Sequence, residues 1–301
     1  MVRNALSLDY PVVESIRSIL PICDEFVIAV GDGDDGTLEA IRAIGDPKLR
    51  VLETRWDPAD FVHGRVNAVQ TDIALDACAG DWCFYLQADE VVHEADLAMI
   101  RRSMESYHGD ERVEGLLFDY LHFWGSYETY HRARNWYRRE VRVIRGSIGI
   151  RSWKSAQGFR KDGRKLRVRP SGGRIFHYGW VRHPDLMKKK TIALDRLHHD
   201  EAWVSRRHPD RREPFRYGTL RHLARFNGTH PDVMKDRIAA KSWTPENGGA
   251  GGHEHNKLST RCLTWIEDRV LRFRVGEYKN YVLLGSGGAG SRGETSRRSG
   301  S

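Results

Sequence analysis

The chain reads as an α/β protein: a mainly parallel central sheet flanked by helices, followed by a helical C-terminal extension. Three observations point there. Short apolar runs alternate with helical patterns of about 10–15 residues through the first half. One apolar run, Gly80-Asp81-Trp82-Cys83-Phe84-Tyr85-Leu86-Gln87-Ala88-Asp89-Glu90, ends abruptly in two carboxylates. The 301 residues, 40% of them hydrophobic, are enough to bury one large core. Right-handed crossovers would bring the strand ends to one edge, where open α/β sheets bind their ligands.

Taken in order, Asp9-Tyr10-Pro11 opens a helix that runs to Leu20 and stops at Pro21. Phe26–Val30 is a compact strand leading into the turn Gly31-Asp32-Gly33-Asp34-Asp35-Gly36-Thr37 and a helix through Ile44. Leu49–Glu53 is the next strand, and Gly64–Ala79 has helical spacing through Val66, Val69, Ile73 and Cys78. A strand ending at Gln87, a helix near Asp96–Ser106 and a strand at Gly115–Phe118 follow. The second half is rich in Arg and aromatics, with strands near Val141–Arg145 and Arg174–Tyr178. Helical patterns cover Asp185–Trp203, Phe215–Phe226 and Pro231–Lys241. A Gly-rich link at Pro245–Gly252 precedes an amphipathic helix at Leu258–Phe273. The expected division is an α/β domain at 1–183, a helical extension at 184–284 and a disordered Gly/Ser/Arg-rich tail at 285–301.

Composition narrows the function. No run approaches the roughly 18–20 apolar residues of a membrane span, and the N-terminus lacks an export signal. The expected location is therefore the cytoplasm, with room for peripheral contact at the inner membrane face. The cysteines Cys23, Cys78, Cys83 and Cys262 have no metal-ligand spacing and read as reduced residues. Net charge is +8, unevenly spread. Residues 1–130 carry 10 Lys/Arg against 25 Asp/Glu, and residues 131–170 carry 14 against 2. The basic segment, with Trp136, Tyr137 and Trp153 interleaved, suits an anionic ligand or surface. The acidic front half argues against extensive nucleic-acid contact.

Four constellations could carry chemistry. Asp32, Asp34 and Asp35 crowd the turn after the first strand, as acceptors for ribose hydroxyls or base N–H groups, or as helix caps. Asp89 and Glu90 would repel at a strand end unless a cation or donor-rich partner sits between them. Mg²⁺ and Mn²⁺ take carboxylates together with substrate phosphates. Glu90 and Glu94 also suit the first turn of the next helix. His177 closes a short strand, and Mn²⁺ accepts imidazole. The arginines from Arg132 to Arg160 could grip phosphate.

Together these pieces resemble the family-2 glycosyltransferases of the GT-A fold, in a bacterial branch with Gln-Ala-Asp-Glu in place of the Asp-x-Asp motif. The resemblance spans about residues 2–183. It rests on Arg3-Asn4, Gly31–Thr37, Gly80–Glu90 and His177-Tyr178-Gly179-Trp180, with Glu277-Tyr278-Lys279-Asn280-Tyr281 near the C-terminus. It implies a nucleotide-diphosphate sugar donor, a glycan or lipid-linked acceptor, inversion at the anomeric carbon, and Mn²⁺ or Mg²⁺ as cofactor. Arg3, Asn4, Asp32, Gln87 and Asp89 would bind the donor, with Asp89 and His177 as metal ligands. Gln87 stands where the family's first aspartate meets the ribose and brings no charge. The family has a complete strand before Arg3-Asn4, and this chain has only Met1-Val2 there.

Inverting transfer needs a carboxylate within reach of the acceptor hydroxyl. Asp119, Glu128 and Glu140 lie in the right part of the chain, and Asp119, at the end of an expected strand on the ligand edge, is preferred. Arg138 and Arg139 are expected to depress the pKa of Glu140 and weaken it as a base. Two other functions stay open: a nucleotidyltransferase making a nucleotide-sugar, and a non-catalytic binder of anionic surfaces or nucleic acid through residues 131–170.

Overall fold

The structure is a computed structural model and describes residues 1–245, 258–271 and 276–285. The expected tail, apart from Gly285, lies outside the described residues, as does most of the Gly-rich link. Helix α1 (Val12–Ile19) follows Pro11 and gives way to a 3-10 turn containing Pro21. Strand β1 (Phe26–Gly31), helix α2 (Thr37–Arg42) and strand β2 (Leu49–Thr54) make a βαβ unit, its strands parallel from Phe26 opposite Leu49 to Gly31 opposite Thr54. Val2 bridges Val30 in parallel: its N–H donates to Ala29 O (2.9 Å), and Gly31 N–H donates to Val2 O (2.8 Å). Helix α3 (Arg65–Asp76) packs on β1.

Beyond α3 the parallel expectation fails, and with it the GT-A-like, mainly parallel central sheet. The remaining elements are β3 (Trp82–Phe84), β4 (Glu90–Val92), α4 (Glu94–Tyr107), β5 (Gly115–Trp124), β6 (Thr129–His131) and β7 (Arg139–Arg145). After them come β8 (Ile150–Trp153), β9 (Gly158–Lys161), β10 (Arg164–Lys165) and β11 (Arg167–Trp180). Helices α5 (Pro184–Arg196) and α6 (Glu201–Arg207), strand β12 (Ala224–Arg225), helices α7 (Lys235–Ala239) and α8 (Leu258–Ile266) and strand β13 (Val282–Leu283) complete the order. The main sheet has eight strands. Five of its pairings are antiparallel (β3–β7, β4–β11, β5–β6, β5–β7, β6–β12), against two parallel (β5–β11, β11–β13). Strands β8, β9 and β10 form a separate antiparallel sheet.

The reason lies in the connections. A parallel pair needs a crossover of about a dozen residues or more. After α4 the links are short: Gly125–Glu128 between β5 and β6, and turns between β8, β9 and β10. Such links reverse the chain. The run expected to be one strand to Gln87 stops at Phe84, then turns at Ala88-Asp89 into β4, which pairs antiparallel with β11. Phe215–Phe226, expected to be helical, is irregular up to β12. There Tyr217 hydroxyl donates to Arg182 O (2.8 Å), and Tyr217 O accepts Trp124 Nε1–H (3.0 Å). Packing against the sheet overrides the helical spacing.

Two cores flank the site. One, between α4 and the sheet, is built from Val92, Ile100, Leu116, Phe118, Val143 and Ile175. The other joins α1, α2 and β1 through Val12, Ile16, Ile28, Val30 and Ile41. Among the described residues no helix is long and apolar enough to cross a membrane.

The basic segment does not stand free as a phosphate-gripping strip. Much of its charge is answered within the chain: Arg142 by Glu90, Arg139 by Asp119, Arg151 by Asp76, and Arg164 and Arg167 by Glu114. Arg145 donates to the carbonyls of Tyr107, His108, Asp110 and Val113, around the C-terminal end of α4. Glu114 is fully covered and accepts from Arg164 (2.6 and 2.7 Å) and from Arg167 N–H (3.0 Å). Burial raises its carboxyl, but these donors outweigh it and hold the carboxyl at about 2, against 4.5 for the free side chain. A carboxylate depressed in this way contributes stability above its unfolded value and loses it as pH falls towards the folded one. Glu114→Gln should therefore flatten the stability–pH curve between about 4.5 and 2. Urea titrations across that range check this, and an unchanged slope would contradict it.

Candidate functional site

The two strand-end acids diverge. Glu90, the first residue of β4, points into the core. Arg142 holds it bidentately (2.7 and 2.9 Å) and Tyr120 hydroxyl donates to it (2.8 Å). The Arg142 guanidinium also lies over the rings of Tyr85 and Tyr120. Glu90 is thus neither a compensating metal ligand nor the start of a helix; it is the counter-ion of a fully buried arginine.

Asp89 turns the other way, into a cleft. Its carboxylate Oδ2 accepts from Lys190 Nζ at 3.0 Å and lies 3.7 Å from His177 Nε2. Lys190 also donates to Gly179 O (2.7 Å), and its ammonium sits 5.0 Å from the Tyr10 ring and 5.6 Å from the Trp180 ring. Burial alone would raise the Asp89 carboxyl, but Lys190, then His177 and Arg182, hold it well below the carboxylate range. Burial, with Arg182 adding to it, pushes the Lys190 amine down to about 7.

His177 is positioned by a second histidine. His122 Nε2 meets Tyr137 O at 2.8 Å, and a carbonyl can only accept, so this nitrogen carries the proton. Burial, then His177, keeps His122 well below its ordinary value and neutral. Its Nδ1 therefore accepts from His177 Nδ1–H across 2.9 Å. The imidazole of His177 is left with Nε2 towards Asp89. Gly179 makes this approach feasible: a Cβ there would lie 2.4 Å from His177 Nε2 and 2.7 Å from Asp89 Oδ2.

The cleft measures about 620 Å³, within the range of small-molecule sites. Of the residues singled out in the sequence it gathers Arg3, Asn4, Gln87, Asp89 and His177. Asp32 sits just outside the lining. Its carbonyl accepts from Arg3 Nε (2.6 Å) and its carboxylate from Trp56 N–H (3.1 Å), so it braces two cleft residues. Asp35 binds Thr37 and Ser7 and ties α2 to the N-terminal turn. Gln87 reaches Tyr85 hydroxyl (3.3 Å) through its side-chain amide, and its carbonyl accepts from Ser15 Oγ (3.0 Å).

Asp119 and Glu140 are not in the cleft lining. Asp119 projects to solvent from the middle of β5, 3.1 Å from Arg139 Nε. Glu140 is buried and takes Val141 N–H (2.9 Å) and Asn280 Nδ2 (3.3 Å). Burial raises its carboxyl, with Arg142 opposing, which reverses the expected depression. Arg138 and Arg139 face Glu277 and Asp119 instead.

Sequence reading missed Lys190 and Arg182. Lys190 belongs to a Lys188-Lys189-Lys190 run that looks like a solvated face. Its one signal is spacing: it falls three residues after Met187, which is buried on the same face of α5. Arg182 is fully buried, with Nε on Leu8 O (2.7 Å) and Nη1 on Gly179 O, and its guanidinium lies 4.3 Å from the Tyr10 ring.

A divalent ion held by Asp89 and His177 does not fit this donor set. Among the described residues no three His, Cys, Asp or Glu side chains converge on one point. The Asp89 oxygen that faces His177 is already taken by an ammonium. One carboxylate against Lys190 and Arg182 leaves the site positive, which favours an anion and opposes a further cation.

The lining otherwise combines amides (Asn4, Asn67, Gln87, Gln157) with aromatic rings (Tyr10, Trp56, Phe61, Trp180). Asn4 Oδ1 and Trp56 Nε1 are buried without a hydrogen-bond partner. Each such atom costs about 1–3 kcal/mol.

Gly179→Ala should destabilise the protein by about 1–3 kcal/mol, because the new methyl must push apart two buried, partnered groups. Gly109→Ala, where nothing lies within 4 Å, should change stability by less than about 0.5 kcal/mol. Urea unfolding of both variants checks the contrast; equal effects would contradict the packing described. No protein-family model matches the chain and no curated protein matches it, so the reading of this cleft rests on its own geometry.

Proposed function

We propose that the chain is a glycosyltransferase that takes a nucleoside-diphosphate sugar in this cleft and passes the sugar to a hydroxyl of a glycan or lipid-linked acceptor. The observation that carries the reading is the composition of one cleft. A buried positive centre at Lys190, amides that can bond hydroxyls, and aromatic faces line the same space of about 620 Å³. A diphosphate needs the first, a sugar the second, and a nucleobase the third. Arg3, 5.6 Å from the Trp56 ring, pairs an aromatic platform with a cation at the cleft's mouth.

Transfer breaks the bond from the anomeric carbon to the diphosphate and forms one to the acceptor oxygen, whose proton must go to a base. With Asp119 and Glu140 off the cleft, the base the cleft itself offers is the His177 imidazole, whose Nδ1 is tied to His122 and whose Nε2 faces Asp89 across 3.7 Å. A second groove, of about 680 Å³, shares Trp180 and Leu194 with the first and is lined by Trp124, Trp136, Tyr137 and Phe215. Its aromatic faces suit the sugar rings of an acceptor.

A thermal-shift panel of nucleotide-sugars tests the reading. A matching donor at about a hundred times its Kd adds about 2.7 kcal/mol, a rise in Tm of roughly 5–10 °C for a chain of this size. The matching donor should stand out by this margin, and its sugar should be released or transferred on incubation. Pyrophosphate release from a nucleoside triphosphate and a sugar phosphate would favour the nucleotidyltransferase instead. Salt-dependent retention on DNA or anionic vesicles, with no nucleotide response, would favour the binder.

A further inference from the structure

Resting on the donor-site reading above, we infer that the cleft binds the nucleoside diphosphate without a divalent cation, the lysine ammonium of α5 standing where the metal would act.

Position supports this first. Lys190 Nζ lies 3.0 Å from Asp89 Oδ2, the carboxylate expected to hold the metal, and lines the cleft beside Gln87 and His177. An ammonium has three donors. Two are spent on Asp89 and Gly179 O, and among the described residues the third has no partner. That leaves one charge-assisted bond for a phosphate oxygen.

Preorganisation supports it next. Lys190 is 6% exposed, its stem held within α5 and its head between the Tyr10 and Trp180 rings. Its two protein bonds fix the head before any ligand arrives. A cation held in place this way needs no reorganisation as charge develops on a departing diphosphate.

Charge balance supplies the third support. Asp89 and Glu90 bring two negative charges. Lys190, Arg182 and Arg142 bring three positive ones, all buried. Arg182 does not line the cleft and acts there through its charge, which helps to hold the Asp89 carboxyl ionised. A centre with this sign answers a diphosphate directly. In a metal-dependent site the surplus would be negative, and the divalent ion would correct it.

The decisive experiment uses the wild-type protein and needs no turnover. Binding of UDP, GDP, ADP and dTDP is measured by calorimetry in excess EDTA and again in excess Mn²⁺, in mildly acidic buffer. The inference expects one of them to bind with Kd values agreeing within about twofold in the two buffers. Lys190→Gln should then weaken that binding about ten- to a hundredfold in EDTA, the value of one charge-assisted hydrogen bond. Binding only in Mn²⁺ would overturn the inference and leave the donor-site reading intact. Binding in neither buffer would overturn both. Circular dichroism of Lys190→Gln separates lost binding from lost fold, and the wild-type comparison stands without the variant.

Discussion

A fully buried arginine, Arg142, needs a fully buried carboxylate, and the fold supplies Glu90. The pair joins β4 to β7, with Tyr120 of β5 closing the network. Removing either member of such a pair strands the other charge in the core, at a cost of about 3–5 kcal/mol. Its geometry also decides what its neighbour does. With Glu90 drawn into the sheet, Asp89 is turned to the opposite side and enters the cleft. There it meets a different cation, Lys190. Two adjacent acids that would repel at a shared site are thereby separated, and each has its own counter-ion.

The same logic extends over the surface. The front of the chain is acidic and residues 131–170 are basic. Folding lays one against the other, so that Asp76, Glu90, Glu114 and Asp119 each face an arginine from the basic segment or its continuation. The asymmetry in sequence is largely an instruction for self-assembly. Beside Asp89, Lys190 and Arg182 bring two buried positive charges, and burial makes each count for more than it would in water.

The elements up to α3 were legible because their signals are local. Proline marks the ends of α1, a Gly/Asp turn separates β1 from α2, and apolar periodicity runs through α3. The direction of strand pairing was not legible: the apolar runs of β3, β5 and β7 read the same whichever way a neighbour runs. Only the short links after α4 carried that information. Within the site, Asp89, His177, Gln87, Arg3 and Asn4 were legible as polar residues placed at strand ends or turns. Lys190 was hidden in a run of three lysines, and His122 inside an apolar strand. Their roles come from contacts across 101 and 55 residues of chain, which no local pattern encodes.

The central claim, that Asp89 and Glu90 belong to two separate buried ion pairs, is tested most directly by double-mutant cycles on stability. The cycles combine Asp89→Asn with Lys190→Met, Glu90→Gln with Arg142→Met, and, as the cross pair, Asp89→Asn with Arg142→Met. Measured by urea unfolding in EDTA, the two matched pairs should each show coupling above about 1 kcal/mol, and the cross pair less than about 0.5 kcal/mol. Cross coupling as large as the matched values would contradict the account. So would an Asp89–Lys190 coupling that is absent in EDTA and appears only when Mn²⁺ is added.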